Sequence, residues 1–429
     1  MQFLKTLLPT HLEEQEKFNT KHFTRKRIFT VAFLTFCLIY LISDQNGFGY
    51  KHILQTLWKK LRELGLALVS DFRPSAAAFC KARVKLPAKI IKAMFDRVIG
   101  LLDQFKPEFQ WHGRRLFAID GTKVQLPASD ELRDHFKCPK NQGGKAHYPQ
   151  AFLSILFCVL TDVVYNFELA PCNSDERKLA LLHLDRLRPA DIIIMDRGYP
   201  SYEIFYECYK RQLDFVIRMT VNSSTWTVVK EFLQSGKKDA LVTIAMPAYL
   251  KARFKNNPQA PRCLSVRMLR IDLDSGETEL LVTSLLDQKQ FPHEEFKTLY
   301  HWRWPIEEGN KSAKHHQYIE KFHAQDVNGI FQEVNAHYLL MAITRLFMLQ
   351  AEAQTPARVY GLSYKSAVDF VSEELVTLLL NKDDKVLDTT IKEMMHMMSH
   401  MYEKPRANRS YPRQRRSRNF NKYPVVKTG

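Results

Sequence analysis

The chain has 429 residues, 45% of them hydrophobic and 25% charged, which suits two to four folded domains and excludes a wholly disordered protein. Lys and Arg outnumber Asp and Glu 63 to 46, a formal net charge of +17, so the expected partner is a polyanion: DNA, RNA or an anionic membrane. Seven scattered cysteines with no C-x-x-C pair argue against both a disulfide framework and a structural zinc site, and fit a reducing cytosol.

The first element in chain order is the apolar run Ile28 to Ser43, which follows the basic stretch Lys21 to Arg27. At 16 residues it is shorter than the ~20 a bilayer requires; it contains Thr30, Thr35 and Ser43, and no small-residue cleavage site follows. A buried helix is expected, with no membrane partner. Ile53 to Val69 has amphipathic spacing, and Ser75 to Leu102 reads as one or two helices whose Lys81, Arg83, Lys85, Lys89 and Lys92 are expected on exposed faces suited to phosphate.

From residue 115 the pattern turns to strands. Arg115 to Thr122 is an apolar run ending in Asp120 and Gly121, and Ala151 to Leu160 and Val163 to Ala170 follow as two more strands. Ser174 to Leu187 reads as a helix with Asp175 and Glu176 in its first turn. Asp191 to Tyr199 then gives a short buried strand closed by Asp196, followed by a helix at Ser201 to Gln212 and a strand at Asp214 to Arg218. Between residues 220 and 285, Trp226 to Val229, Leu241 to Ala245, Cys263 to Ile271 and Glu279 to Thr283 read as β segments separated by Gly, Asn and Pro turns.

Helices return at Phe331 to Ala351, Tyr364 to Leu380 and Lys385 to Tyr402. In the last of these, Met394, Met398 and Met401 fall on one side and His396 and His400 on roughly the other, the pattern of a Met-packed core and not of a metal site. Residues 404–429 are rich in Arg with almost no acids, and read as a disordered basic tail.

One stretch concentrates chemistry: Tyr300-His-Trp-Arg303-Trp-Pro-Ile-Glu307-Glu308-Gly-Asn-Lys311-Ser-Ala-Lys314. At about 100° per residue, Tyr300, Arg303, Glu307 and Lys314 share one narrow helical stripe, which excludes Glu308. A carboxylate, two cations and a phenol make a poor core face but suit a surface meeting phosphate and metal together. Pro305 lacks a backbone donor, so a kink or fresh start is expected there. The spacing Y-x2-R-x3-E-x6-K resembles the YREK motif of DDE transposases of the bacterial insertion-sequence family four type. Ala76 to Pro87 and Asp196-Arg197-Gly198-Tyr199 resemble further elements of that family, covering most of residues 20 to 410.

The resemblance implies a fold and a chemistry. The fold class is α/β: a ribonuclease H-like mixed sheet core with a β-rich insertion, flanked by N- and C-terminal helical regions. Asp120, Asp196 and Glu307 fall on the catalytic acids and metal ligands, and Tyr300, Arg303 and Lys314 on positions that contact DNA. Three converging carboxylates are unfavourable without cations, and hard oxygen donors favour Mg²⁺ or Mn²⁺, with two ions about 3.5–4 Å apart serving an in-line displacement at phosphorus. The implied function is transposition: binding the ends of an insertion sequence and cleaving and transferring DNA strands, as a homodimer on double-stranded DNA in the bacterial cytoplasm. The alternatives are a catalytically inactive DNA-binding relative, acting as a repressor or remnant, and a basic membrane-anchored protein.

The expected domains are a helical DNA-binding domain (1–105), the catalytic core in two parts (106–219 and 286–350), the β-rich insertion (220–285), a C-terminal helical region (351–403) and the tail (404–429).

Overall fold

The structure, a computed structural model, describes residues 22–23, 28–43, 49–66, 73–103, 110–139, 148–221, 226–253, 261–273, 276–303, 306, 319–354, 361–381 and 383–403. Four helices come first: α1 (Val31–Ser43), α2 (Tyr50–Glu63), α3 (Ala76–Arg83) and α4 (Lys89–Leu102). The sheet-forming region then runs β1 (Leu116–Gln125), α5 (Asp130–Phe136), β2 (Gln150–Cys158), β3 (Val163–Pro171), α6 (Glu176–Leu184), β4 (Ile192–Met195), α7 (Tyr202–Lys210) and β5 (Asp214–Met219). It continues with α8 (Thr227–Gln234), β6 (Asp239–Ala245), α9 (Ala248–Arg253), β7 (Cys263–Asp272), β8 (Thr278–Thr283) and α10 (Glu295–His301). The remainder is α11 (Val327–Gln354), β9 (Gly361–Leu362), α12 (Tyr364–Leu380), α13 (Asp384–Met398) and β10 (Tyr402–Glu403).

The chain divides into two compact units. One comprises Met1–Gln104, Gln125–His135 and Ala313–Gly429; the other comprises Phe105–Val124 and Phe136–Ser312. The first is helical. Within it α1 is buried along nearly its whole length, with α2, α11 and α12 packed against it. An apolar helix without a polar stripe requires such enclosure. Among the described residues no helix is long and apolar enough to cross a membrane.

A buried polar network joins α3 to α11 in this helical unit. The Arg83 guanidinium donates from Nε to Gln332 Oε1 at 2.8 Å, from Nη1 to the Tyr50 hydroxyl at 2.7 Å and from Nη2 to the Gly329 carbonyl at 3.0 Å. Its Nη2 also lies 2.6 Å from Glu333 Oε1, and both side chains of this ion pair are almost fully enclosed. Arg83 was expected on a phosphate-facing surface; it is instead buried, because each of its donors has a partner inside the unit. Lys81, Lys85 and Lys89 are exposed as expected.

The network makes the helical unit acid-sensitive. Burial alone would raise the Glu333 pKa, but Arg83 and, after it, the His323 side chain and backbone N–H more than offset it and hold the carboxyl at about 2, below its ordinary 4.5. Burial lowers the pKa of His337, one helical turn along α11, from 6.5 to about 4, with Glu333 opposing and His323 adding to the fall. Both folded values lie below the unfolded ones, so both contributions are present at neutral pH and are lost on acidification. His337 acts first, between about pH 6.5 and 4, and Glu333 between about pH 4.5 and 2. The urea midpoint should therefore fall from pH 7 to pH 4, and His337→Asn should flatten that part of the curve. A midpoint independent of pH over this range would rule the coupling out.

The second unit is built on the sheet, whose strand order is β3-β2-β1-β4-β5-β8-β7-β6. Strands β1, β4 and β5 are parallel, whereas β2/β3, β5/β8, β8/β7 and β7/β6 pair antiparallel. The mixed sheet with helices α6 and α7 between its parallel strands is the α/β, ribonuclease H-like core expected. Helix α5 between the first two strands was not foreseen. In β4 all four residues, Ile192 to Met195, are buried, as an apolar run in a central parallel strand requires.

Charges fix the entry ends of these strands. Arg115, just before β1, makes a two-point bond to Asp191, just before β4, at 2.9 and 2.5 Å, and Arg114 pairs with Asp214 at the start of β5. The first bond ties β1 to its neighbour β4, and the second reaches past β4 to β5, both at the entry end. The paired register then carries this alignment to the other end.

Residues 220–285 contribute β6, β7 and β8 to the same sheet. Trp226 to Val229, expected as a β segment, leads into helix α8, because Val229 and Phe232 at helical spacing both find buried positions. At the C-terminus α13 stops at Met398, so Met401 is exposed and Met395 replaces it in the core beside Met394 and Met398. His396 and His400 are exposed, with ring centroids 4.5 Å apart and planes tilted by 58°.

Candidate active site

Strand register brings the first two acids together. Leu116, Phe117, Ala118 and Ile119 pair with Ile192, Ile193, Ile194 and Met195 in order, so Asp120 follows the last paired residue of β1 and Asp196 is the first residue after β4. Both carboxylates bear electrostatically on the same phenol, that of Tyr199. Both side chains are half-buried at the exit end of the sheet, where open α/β sheets place their ligands. The sequence places an acid after each apolar strand; the structure adds that the two strands are neighbours in step.

The turn after β4 shapes the second acid. The Gly198 backbone N–H donates to Asp196 Oδ1 at 2.7 Å, which sets the rotation of that carboxylate. Tyr199 is fully enclosed and its hydroxyl donates to Glu176 Oε1 at 2.8 Å. Burial raises the Tyr199 pKa, and the negative charges of Glu176, Asp120 and Asp196 raise it further, so the phenol is a fixed donor. Glu176 is the acid sequence reasoning placed only in the first turn of a helix. Its Oε1 stands 2.7 Å from where a Cβ on Gly121 would be, and its Oε2 3.9 Å from that of Gly198. The glycine directly after Asp120 was the signal that another group needs the space.

Helix α10 brings Tyr300 to the same unit. Arg267, buried in β7, binds Asp239 at 2.9 and 2.6 Å and the Phe291 carbonyl at 2.7 Å, and its guanidinium lies 5.2 Å from the Phe296 ring centre. It thereby fixes the segment leading into α10. Tyr300 is buried, and among the described residues its hydroxyl has no hydrogen-bond partner. Burial pushes its pKa up to about 12; Arg303 and Arg218 oppose this, while Glu279 and Asp196 add to it. The phenol therefore lies within electrostatic reach of the second acid.

Of the expected stripe, Tyr300 and Arg303 lie within the described residues. Helix α10 ends at His301, and Trp302 and Arg303 form a turn past its end. Two residues on, Pro305 disfavours helical backbone in the residue before it, which explains the early stop. Tyr300 and Arg303 still meet, with the guanidinium carbon 5.8 Å from the ring centre. Glu307, Glu308 and Lys314 lie outside the described residues, as does the tail 404–429.

Ser154, His183 and Asn166 form a serine-histidine-amide series with 3.0 Å contacts at each ring nitrogen. All three are sealed from solvent, so they tie α6 to β2 and β3 and offer no nucleophile. Among the described residues no three His, Cys, Asp or Glu side chains are arranged to hold a metal ion.

The family described as Transposase DDE domain matches residues 111–344, which contain both aspartates and Tyr300. The chain belongs to this transposase DDE family. Over 294 residues it is 22% identical to the transposase InsG for insertion sequence element IS4 of Escherichia coli K12, covering 68% of this chain and 63% of that protein. Over 115 residues it is 25% identical to the transposase for insertion sequence element IS231F of Bacillus thuringiensis subsp. israelensis, covering 27% of this chain and 23% of that one. The chain thus spans less than two thirds of the length of either relative. A cryo-electron microscopy structure of the piggyBac transposase synaptic complex with hairpin DNA is similar at a TM-score of 0.49 and 9% identity, covering 96% of this chain and 87% of that one.

Proposed function

We propose that the chain binds the ends of an insertion sequence and catalyses metal-dependent DNA strand cleavage and strand transfer. The observation that carries this reading is the step-for-step pairing of β1 with β4, which leaves Asp120 and Asp196 side by side within the family-matched residues. Two adjacent carboxylates repel each other, and a divalent cation relieves that repulsion. Their hard oxygen donors fit Mg²⁺ or Mn²⁺, and Asp120, Asp196 and Glu307 would hold the ions, two by family likeness. Bound there, such cations stabilise the attacking and leaving oxygens of a displacement at phosphorus.

The chain's own groups do the rest. Tyr300, Arg303 and Lys314 contact phosphates near the DNA end, Arg303 by its planar fork and Lys314 as a point charge. Water serves as nucleophile for nicking, and the freed 3′-OH of the DNA for strand transfer. The net charge of +17 draws the duplex in. Two copies, each on one DNA end, make the working assembly.

Glu307 is separated from its neighbour by experiment. Adjacent helical side chains diverge by about 100°, so only one of Glu307 and Glu308 serves the site. Glu307→Gln should bind a labelled end duplex in a gel shift yet fail to nick it with Mg²⁺, while Glu308→Gln behaves as wild type. Nicking by Glu307→Gln would overturn the assignment of the third acid and of the motif register with it.

A further inference from the structure

We infer that Glu176 and Tyr199 form a brace that positions Asp196 for cation binding. This rests on the reading of Asp120 and Asp196 as the cation-holding pair. It adds to that pair a positioning residue on a different element, α6.

The brace has three parts. Its base is α6 itself, anchored to the sheet where His183 meets Ser154 of β2 and Asn166 of β3 in a sealed interior. From the first turn of this fixed helix two successive residues reach the turn after β4: Glu176 accepts from the Tyr199 hydroxyl at 2.8 Å, and Arg177 Nε donates to the Gly198 carbonyl at 3.0 Å. The turn in turn grips the acid, since the Gly198 N–H is bonded to Asp196 Oδ1 at 2.7 Å. Helix, turn and carboxylate are thus linked in series by directional bonds.

Space is reserved for this arrangement. A Cβ on Gly121 would come within 2.7 Å of Glu176 Oε1 and 2.2 Å of Phe152 Cζ, so the residue following Asp120 must lack a side chain for Glu176 to reach Tyr199. A buried phenol requires an acceptor, and that need alone could be met by any oxygen. What singles out Glu176 is the path from its acceptor to Asp196, three residues before Tyr199.

The test is Mn²⁺ binding by the full-length chain, measured by titration calorimetry and by the electron paramagnetic resonance of free Mn²⁺, at a temperature where circular dichroism shows every variant folded. Partners that orient metal ligands typically contribute about 10- to 100-fold to affinity. Tyr199→Phe, which removes the donor, should weaken Mn²⁺ binding about tenfold, and Glu176→Ala should match it. Glu176→Gln keeps an oxygen acceptor for the phenol and should stay within about threefold of wild type. Wild-type affinity in Tyr199→Phe would overturn the brace. So would a loss in Glu176→Gln as large as in Glu176→Ala, since Glu176 would then act through its charge. Asp120→Asn is the reference: if it leaves Mn²⁺ binding intact, the cation site itself is misplaced, whereas its loss beside a wild-type Tyr199→Phe discards only the brace.

Discussion

Replacing Asp120 or Asp196 by Asn is expected to lower Mg²⁺-dependent nicking of an end duplex about a thousandfold or more, with DNA binding retained. Asparagine matches aspartate in shape, so the paired register of β1 with β4 should survive the change. What goes is one negative charge from a site whose proposed work is to hold cations against a developing phosphorane charge. Losing a single well-placed electrostatic contact commonly costs about 10²–10³ in rate, and about 4 kcal/mol corresponds to a thousandfold. Asp196→Asn carries a further consequence, because its Oδ1 accepts the Gly198 N–H and that bond can persist only if the amide presents its oxygen there. The assay is nicking of a labelled duplex beside a gel-shift control. Nicking within tenfold of wild type in either variant would end the assignment of the acid pair.

The second large effect concerns stability. Arg83→Met should destabilise the helical unit by about 3–5 kcal/mol, the typical result of removing one partner from a buried ion pair. The guanidinium bonds Gln332, Tyr50 and Gly329 and pairs with Glu333, and Glu333 also accepts from the backbone N–H groups of His323 and Ala324 at 2.8 and 3.0 Å. Without Arg83 the Glu333 charge stays enclosed, its chief opposite charge gone. Arg83→Lys should recover only part of the loss, since an ammonium cannot serve all these directions from one planar fork. Arg83→Met combined with Glu333→Leu should be closer to wild type than Arg83→Met alone, because the uncompensated charge is then absent. Urea midpoints followed by circular dichroism decide it; a shift under about 1 kcal/mol for Arg83→Met would show the pair to be dispensable.

The sheet was legible because its strands announce themselves. Ile192 to Met195 is apolar throughout and ends on an acid, and Leu116 to Ile119 repeats that pattern. What was hidden depends on partners far away in sequence. Arg83 stands among lysines on a basic helix, and only Glu333 and Gln332 on a distant helix reveal that it faces inward. Glu176 looks like an ordinary first-turn acid favoured by the helix dipole, and its reach to Tyr199 follows from the docking of α6, which local pattern does not encode. Trp226 to Val229 misled for the opposite reason: β-branched residues favour strands locally, and tertiary burial of Val229 and Phe232 overrode them. Tyr300 and Arg303 do meet, but across a helix end that a uniform wheel ignores.

The Arg83 network also sets a timetable for protein synthesis. Arg83 and Gln332 are 249 residues apart, so at about 5–20 residues per second a ribosome takes roughly 10–50 s to deliver the second after the first. During that interval α1 has α2 beside it but lacks α11 and α12, two of the helices that pack against it. An apolar helix and an unmatched arginine are exposed together on the nascent chain, the kind of surface that recruits chaperones. The whole intervening sheet unit is made meanwhile, and its strands can pair before the helical unit closes. Translation halted before residue 327 would therefore release a chain with every strand of the large sheet but without α11 and α12 to close over α1.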